Sequence, residues 1–361
     1  MRGEDTGRAG GAAEGPDGSL RDRARGALLG LACGDALGRP AENMTPEAIA
    51  ERWGRLTELA VDEHGVAAGT DDTEYSVFIG LLLAEHGRGL RPEHVVAAYE
   101  RDVLTIEGPM RGAGFSELGT VQALRRGLAP PHTGRRHLHG WSDGLAMRAA
   151  PYGVFAAGDP AQAARLIELE GQVSHAGEGL LGGRAVAAGV AAAIAGAAPH
   201  EVAAAAREQV PADSWTGRAL AHAVRAADEA PDTAALGAAL HAAVVPAHYP
   251  WTDLAPEAVA LAFGAYLAAG GEVEEAVVTA ANMGRDADTT AAIAGALAGA
   301  GRGASRIPRR WAAAIGPVTG SCLPSVAGRR VTEVADLLVA AGAADRAGAA
   351  GRGGAARGAH D

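Results

Sequence analysis

The sequence predicts an all-α protein, and three observations carry the prediction. Apolar residues recur at three- and four-residue spacing through nearly every segment of the 361-residue chain, the period of a helix with one buried face. Proline stands at or near the start of several of these segments, where its missing N–H costs a helix nothing. Alternating apolar and polar runs, the mark of half-buried strands, are scarce. Hydrophobic residues make up 48% of the chain but aromatic residues only 4%, with 52 glycines. Ala, Val and Leu must therefore fill the core, between helices packed close together.

Taken in order, the polar, Gly-rich stretch 1–18 has no apolar centre, which excludes a signal peptide and predicts a disordered tail. A first helix is expected from Leu20 to Gly34. Its Gly26, Gly30 and Gly34 fall four apart on one face, open to close approach by a second helix. Breakers between Gly38 and Asn43 end it. Helical spacing then predicts Pro46–Trp53, Asp72–His86, Pro92–Asp102, Glu117–Arg126, Pro160–Leu169 and Glu178–Gly196. It continues through Pro199–Gln209, Trp215–Ala227, Thr233–Ala242, Pro256–Ala268 and Val273–Ala281. Two connections interrupt the pattern, Gly108–Ser116 and Leu128–Tyr152. The second holds three histidines and Trp141; a structureless connection that long in a compact fold is usually functional or disordered, and its aromatics and histidines favour function. The Ala- and Gly-rich stretch 343–361 reads as a second disordered tail, which leaves 19–342 as a single all-α domain.

Composition excludes several functions. A formal net charge of −11 argues against binding a nucleic acid backbone. Every basic residue is Arg, so there is no Schiff-base lysine and no phosphate-binding loop ending in Gly-Lys-Ser/Thr. The longest apolar run, 185–199, is too short to cross a membrane. Cys33 and Cys322 have no motif and read as reduced, buried thiols of a cytoplasmic protein.

Two stretches concentrate chemistry. Gly69-Thr70-Asp71-Asp72-Thr73-Glu74 and Gly284-Arg285-Asp286-Ala287-Asp288-Thr289-Thr290 each open an apolar helix. Either one alone is explained as a helix cap, since hydroxyls and carboxylates satisfy free N–H groups and suit the dipole. Together, Thr70, Asp71, Asp72, Asp286, Asp288 and Thr289 supply six hard oxygen ligands of the kind that suit Mg²⁺, Mn²⁺ or Ca²⁺. Adjacent carboxylates that stay ionised in an apolar fold need a cation to offset repulsion and desolvation. The pair therefore reads as a two-metal site.

Three motifs in order resemble the ADP-ribosylglycohydrolase family: Gly34-Asp35-Ala36-Leu37-Gly38 with Glu42, then Thr70-Asp71-Asp72-Thr73, then Gly284-x-Asp286-x-Asp288-Thr289. The resemblance runs from about Arg21 to about Trp311. It implies two divalent cations, Mg²⁺ or Mn²⁺, held by the six residues above, and Glu42 as the catalytic acid/base beside them. It also implies cleavage of a glycosidic bond at the ribose anomeric carbon of an ADP-ribosylated protein or a small-molecule riboside. The loop Gly112-Ala113-Gly114, with Ser116, resembles the family's diphosphate cradle. His175, in a Ser174-His175 pair, matches a residue near the ribose or adenine. Asp143 stands where this form of the motif has Asn, and Phe115 and Glu117 stand where smaller, uncharged residues suit an anion. A carboxylate near a diphosphate costs roughly 1 to 4 kcal/mol at 4 Å. A smaller riboside without the diphosphate, or a non-catalytic binding role, stays open beside the glycohydrolase reading. Asp35 is expected to fix a loop as an acceptor.

Overall fold

The structure, a computed structural model, describes residues 16–112 and 114–357. Among them it forms eighteen α-helices and no sheet; the extended backbone is limited to three isolated bridges. The first helices are α1 Pro16–Gly38, α2 Pro46–Trp53, α3 Asp71–His86, α4 Pro92–Asp102 and α5 Phe115–Arg125. The connection 128–152 is not structureless. It contains α6 His132–Arg135, α7 Gly144–Met147 and the start of α8 Ala150–Phe155, each too short to show a helical period. Then come α9 Pro160–Gly171, α10 Glu178–Ile194, α11 Pro199–Glu208, α12 Trp215–Glu229 and α13 Thr233–Val244. The series closes with α14 Ala255–Ala268, α15 Val273–Ala281, α16 Ala287–Arg302, α17 Arg309–Ala314 and α18 Val331–Arg357. Helix starts follow local chemistry: Asp159, Ser214 and Asp232 each accept from a backbone N–H of the first turn, the usual N-cap bond.

At the two ends the helices outrun the expectation. α1 begins inside the stretch 1–18, and α18 carries residues 343–357 as helix where composition predicts a tail. Alanine has the highest helix propensity, and tertiary contacts extend past residue 342: Asp345 pairs with Arg88, and Arg346 donates to the Phe155 carbonyl. Residues 1–15 and 358–361 lie outside the described residues.

The centre of the molecule is α1 against α16. A Cβ at Gly26, Gly30, Gly34 or Gly38 would run into the backbone carbonyl of Gly299, Gly295, Ala291 or Ala287 respectively. Gly295 and Gly299 meet α1 in the same way. The two helices thus touch backbone to backbone along four turns. α10, α14 and α15 pack on α16, α10 and α15 reaching α1 as well, and α3 and α18 pack on α1. This arrangement sets the C-terminal end of α1 beside the N-terminal ends of α3 and α16. No described helix is long and apolar enough to cross a membrane.

Candidate active site

Asp35, at the end of α1, holds the start of α3. Its carboxylate accepts from the Thr70 N–H at 2.8 and 2.9 Å, from the Thr73 N–H at 3.1 Å, and from the Thr73 hydroxyl. It acts as the loop-fixing acceptor expected of it. The start of α16 is held by a strap. Asn43 N–H donates to the Arg285 carbonyl at 2.7 Å, and Arg285 N–H donates to the Met44 carbonyl at 2.9 Å. Asn43, Gly284 and Arg285 all take left-handed backbone, at φ 60°, 66° and 62°. Such non-Gly residues cost energy unless the surroundings over-determine them. Arg285 is fixed by Glu257, at 2.5 and 3.1 Å, and by the Trp251 carbonyl at 2.8 Å. The strap brings Glu42 beside the head of α16, with its Oε1 accepting from Asn43 Nδ2 at 3.0 Å.

The two clusters meet. Thr289 Oγ1 donates to Asp72 Oδ1 at 3.1 Å across 217 residues of sequence, and oxygens of Asp35, Asp72 and Asp288 lie within 4.8 Å of one another. Asp72 Oδ2 and Asp288 Oδ1 are buried without a hydrogen-bond partner. Burial pushes Asp71, Asp72, Asp286 and Asp288 well above the usual carboxylate range, and repulsion from neighbouring carboxylates adds to it. Glu42 contributes to that field at Asp286 and Asp288. Orphaned hard oxygens under strong mutual repulsion suit a divalent cation. Both helix heads face one cavity of about 450 Å³.

The ADP-ribosylglycohydrolase family model matches residues 16–347. The chain belongs to the ADP-ribosylglycohydrolase family. That makes it a hydrolase of the glycosylase class. It is similar to an uncharacterised protein of Archaeoglobus fulgidus, 32% identical over 296 residues, which span 81% of this chain and 91% of the relative. It is also 30% identical over 171 residues to the ADP-ribosyl-[dinitrogen reductase] glycohydrolase of Rhodospirillum rubrum, an alignment spanning 44% of this chain and 52% of that one. A solved structure, an ADP-ribosylglycohydrolase-related protein complex, superposes with a TM-score of 0.65 at 25% identity. The match covers 90% of this chain and 99% of the other.

Eleven of the twelve sequence-predicted site residues line this one cavity: Glu42, Thr70, Asp71, Asp72, Gly112, Gly114, Ser116, Asp143, Asp286, Asp288 and Thr289. Gly112 has φ 64°, and a Cβ there would run into the Cys322 sulfur, so the loop depends on glycine. His175 does not line the cavity. It is buried behind the wall, with Nδ1 at 2.8 Å from Ser174 Oγ and Nε2 at 3.3 Å from Ser142 Oγ. Glu117 is matched by a buried cation: Arg148 Nη1 donates to its Oε1 at 2.6 Å and Ser116 Oγ to its Oε2 at 2.7 Å. Burial raises the Glu117 pKa, but Arg148 and these bonds outweigh it and hold the carboxylate below its ordinary value.

Sequence reasoning missed Asn43, Ser142, Trp251, Thr252 and Asp253, which also line the cavity. The segment after α13 runs antiparallel to residues 141–143: Asp143 N–H donates to the Asp253 carbonyl at 3.0 Å. Asp253 thereby adds a carboxylate with both oxygens unpartnered, as is Asp143 Oδ2. Eight carboxylates line the cavity, with no Arg or His among the described lining residues. Above them sits a cluster of Phe115, His139, Trp141, Tyr249 and Trp251, with ring centroids 4.6 to 6.5 Å apart. Phe115 and Trp251 line this cavity, and Trp141 and Tyr249 line a neighbouring one of about 650 Å³. The usable signal was Tyr249-Pro250-Trp251, a concentration of rings in a chain with 4% aromatics.

Proposed function

We propose that the protein is a metal-dependent glycohydrolase that cleaves the bond at the ribose anomeric carbon of ADP-ribosylated substrates. One observation carries the reading: two helix heads far apart in sequence meet with buried, unpartnered carboxylate oxygens facing a cavity that Glu42 also lines. Thr70, Asp71, Asp72, Asp286, Asp288 and Thr289 would hold two Mg²⁺ or Mn²⁺ ions, whose chemistry in such a site is to orient a diol and polarise an oxygen. Glu42 serves as the general acid/base. Its Oε1 is held by Asn43, so the carboxylate keeps one oriented oxygen to exchange a proton as the anomeric carbon gains oxocarbenium character. The exposed faces of Phe115 and Trp251 suit stacking by a planar base. The free thiols Cys33 and Cys322 suit a reducing, cytoplasmic setting.

A second reading is a riboside without a diphosphate, favoured by eight lining carboxylates with no described lining cation. The two separate in one assay. ADP-ribose release is measured from arginine-, serine- and acetyl-linked conjugates beside a nucleoside panel, with Mg²⁺, with Mn²⁺ and with chelator. Metal-dependent release from a conjugate is expected. Turnover of nucleosides alone selects the second reading, and no turnover with metal bound rejects both.

A further inference from the structure

His175 makes a side-chain hydrogen bond to the cavity wall at Ser142, and the hydrogens between them can be counted. Arg148 has donors and no acceptor; its Nη2 donates to Ser174 Oγ at 2.8 Å. Ser174 is fully buried, and His175 Nδ1, at 2.8 Å, is the acceptor within reach of its hydroxyl hydrogen. A buried hydroxyl hydrogen left without an acceptor is costly, so Nδ1 accepts and the ring carries its hydrogen on Nε2. Burial first, and then Arg148, push His175 down to about 3, which keeps the ring neutral with a single N–H. Nε2–H therefore points along the 3.3 Å contact to Ser142 Oγ, which accepts. The hydroxyl hydrogen of Ser142 is left over, on a side chain 2% exposed that lines the cavity. The neighbouring wall hydroxyls are committed: Ser116 donates to Glu117 and Thr252 to Asn43 Oδ1. In a cavity walled by carboxylates, a wall hydroxyl whose hydrogen is left uncommitted is a scarce donor.

We infer that Ser142 contacts the substrate as a hydrogen-bond donor to an acceptor oxygen of the ADP-ribosyl group, and that His175 is a positioning residue that fixes this polarity. The inference rests on the glycohydrolase reading, and its test separates the two.

The first measurement needs no substrate: ring nitrogen chemical shifts of His175 in the full-length protein at neutral pH. Protonated Nε2 with bare Nδ1 is expected; an Nδ1–H tautomer or an imidazolium overturns the relay. The second is calorimetric binding of ADP-ribose with Mg²⁺ present. Ser142→Ala is expected to weaken binding about tenfold or more, the worth of a hydrogen bond to a charged acceptor, while the Mg²⁺-induced rise in melting temperature persists. His175→Ala is expected to weaken binding comparably, His175→Gln to recover part of it through its amide N–H, and the double variant to lose little more than either single one. Ser142→Ala binding as the wild type does, or losses that multiply in the double variant, overturns the assignment. If the wild type itself fails to bind ADP-ribose, the functional reading falls, and the Ser142 assignment with it, whatever the tautomer.

Discussion

Single carboxylates in this cavity face the same acidic field with different tasks. Asp288 is buried with an orphaned oxygen, whereas Glu42 stands on the exposed side of the cavity wall. Asp288→Asn should therefore remove most of the stabilisation by Mg²⁺ together with turnover. Glu42→Gln should keep the stabilisation and lose turnover by roughly 10² to 10⁴, the range of general acid/base catalysis. Equal loss of metal stabilisation in the two variants, read by thermal unfolding, would refute that division of roles. His175 makes a separate prediction about acid. Its folded pKa is depressed to about 3 against roughly 6.5 in an unfolded chain. As pH falls below about 6.5, the unfolded chain takes up a proton that the folded protein refuses, so stability is lost between those two values. The slope is up to about 1.4 kcal/mol per pH unit. Urea unfolding at neutral pH and at about pH 5 should thus cost the wild type roughly 2 kcal/mol more than His175→Gln. Identical losses would mean the ring protonates in the fold.

Between elements, the decisive contact is the α1–α16 seam. Both partners at Gly30 and Gly295 are backbone, so an added side chain cannot be absorbed by a rotamer change. Gly30→Val should destabilise by about 3 kcal/mol or more, at or beyond the upper end for overpacking. Because the seam also sets the distance between the α3 and α16 heads, it should weaken Mg²⁺ binding in whatever fraction stays folded. Gly237 is the control. It lies inside α13, where an added Cβ would meet nothing within 4 Å, so Gly237→Ala should be neutral or stabilise by up to about 1 kcal/mol. Comparable midpoints in denaturant for the two variants would show that the seam tolerates separation.

For the molecule as a whole, the acidic cavity is a cost that the rest of the fold carries. Asp71, Asp72, Asp286 and Asp288 are driven up by burial and by repulsion from neighbouring carboxylates, and the chain already bears a net charge of −11. A ligand that binds only the folded state stabilises it by about 2.7 kcal/mol at a hundredfold excess over Kd. Mg²⁺ or Mn²⁺ added to chelator-treated protein should raise the melting temperature by roughly 5 °C. No shift with either ion, in protein shown by calorimetry to bind it, would place the ions elsewhere than the helix heads.

Helices and chemistry-bearing motifs were legible in the sequence because both are local. A 3.6-residue period, a proline in a first turn or a Thr-Asp-Asp-Thr cap is written in consecutive residues, and the repeated Thr/Asp clusters marked two helix heads before their meeting was visible. Gly26, Gly30 and Gly34 even announced a close helix partner, though not that it would be α16. What only the tertiary structure decided are pairings between distant segments, which no local period encodes. Arg148 neutralises Glu117, Asp253 comes beside Asp143, and the 43–44 strap on Arg285 sets Glu42 against the α16 head. His175 lies behind Ser142 instead of in the cavity because its neighbours, Ser174 and Arg148, are fixed from other helices. The short helices of 132–155 span too few turns to repeat a pattern, so their order comes from burial against the core.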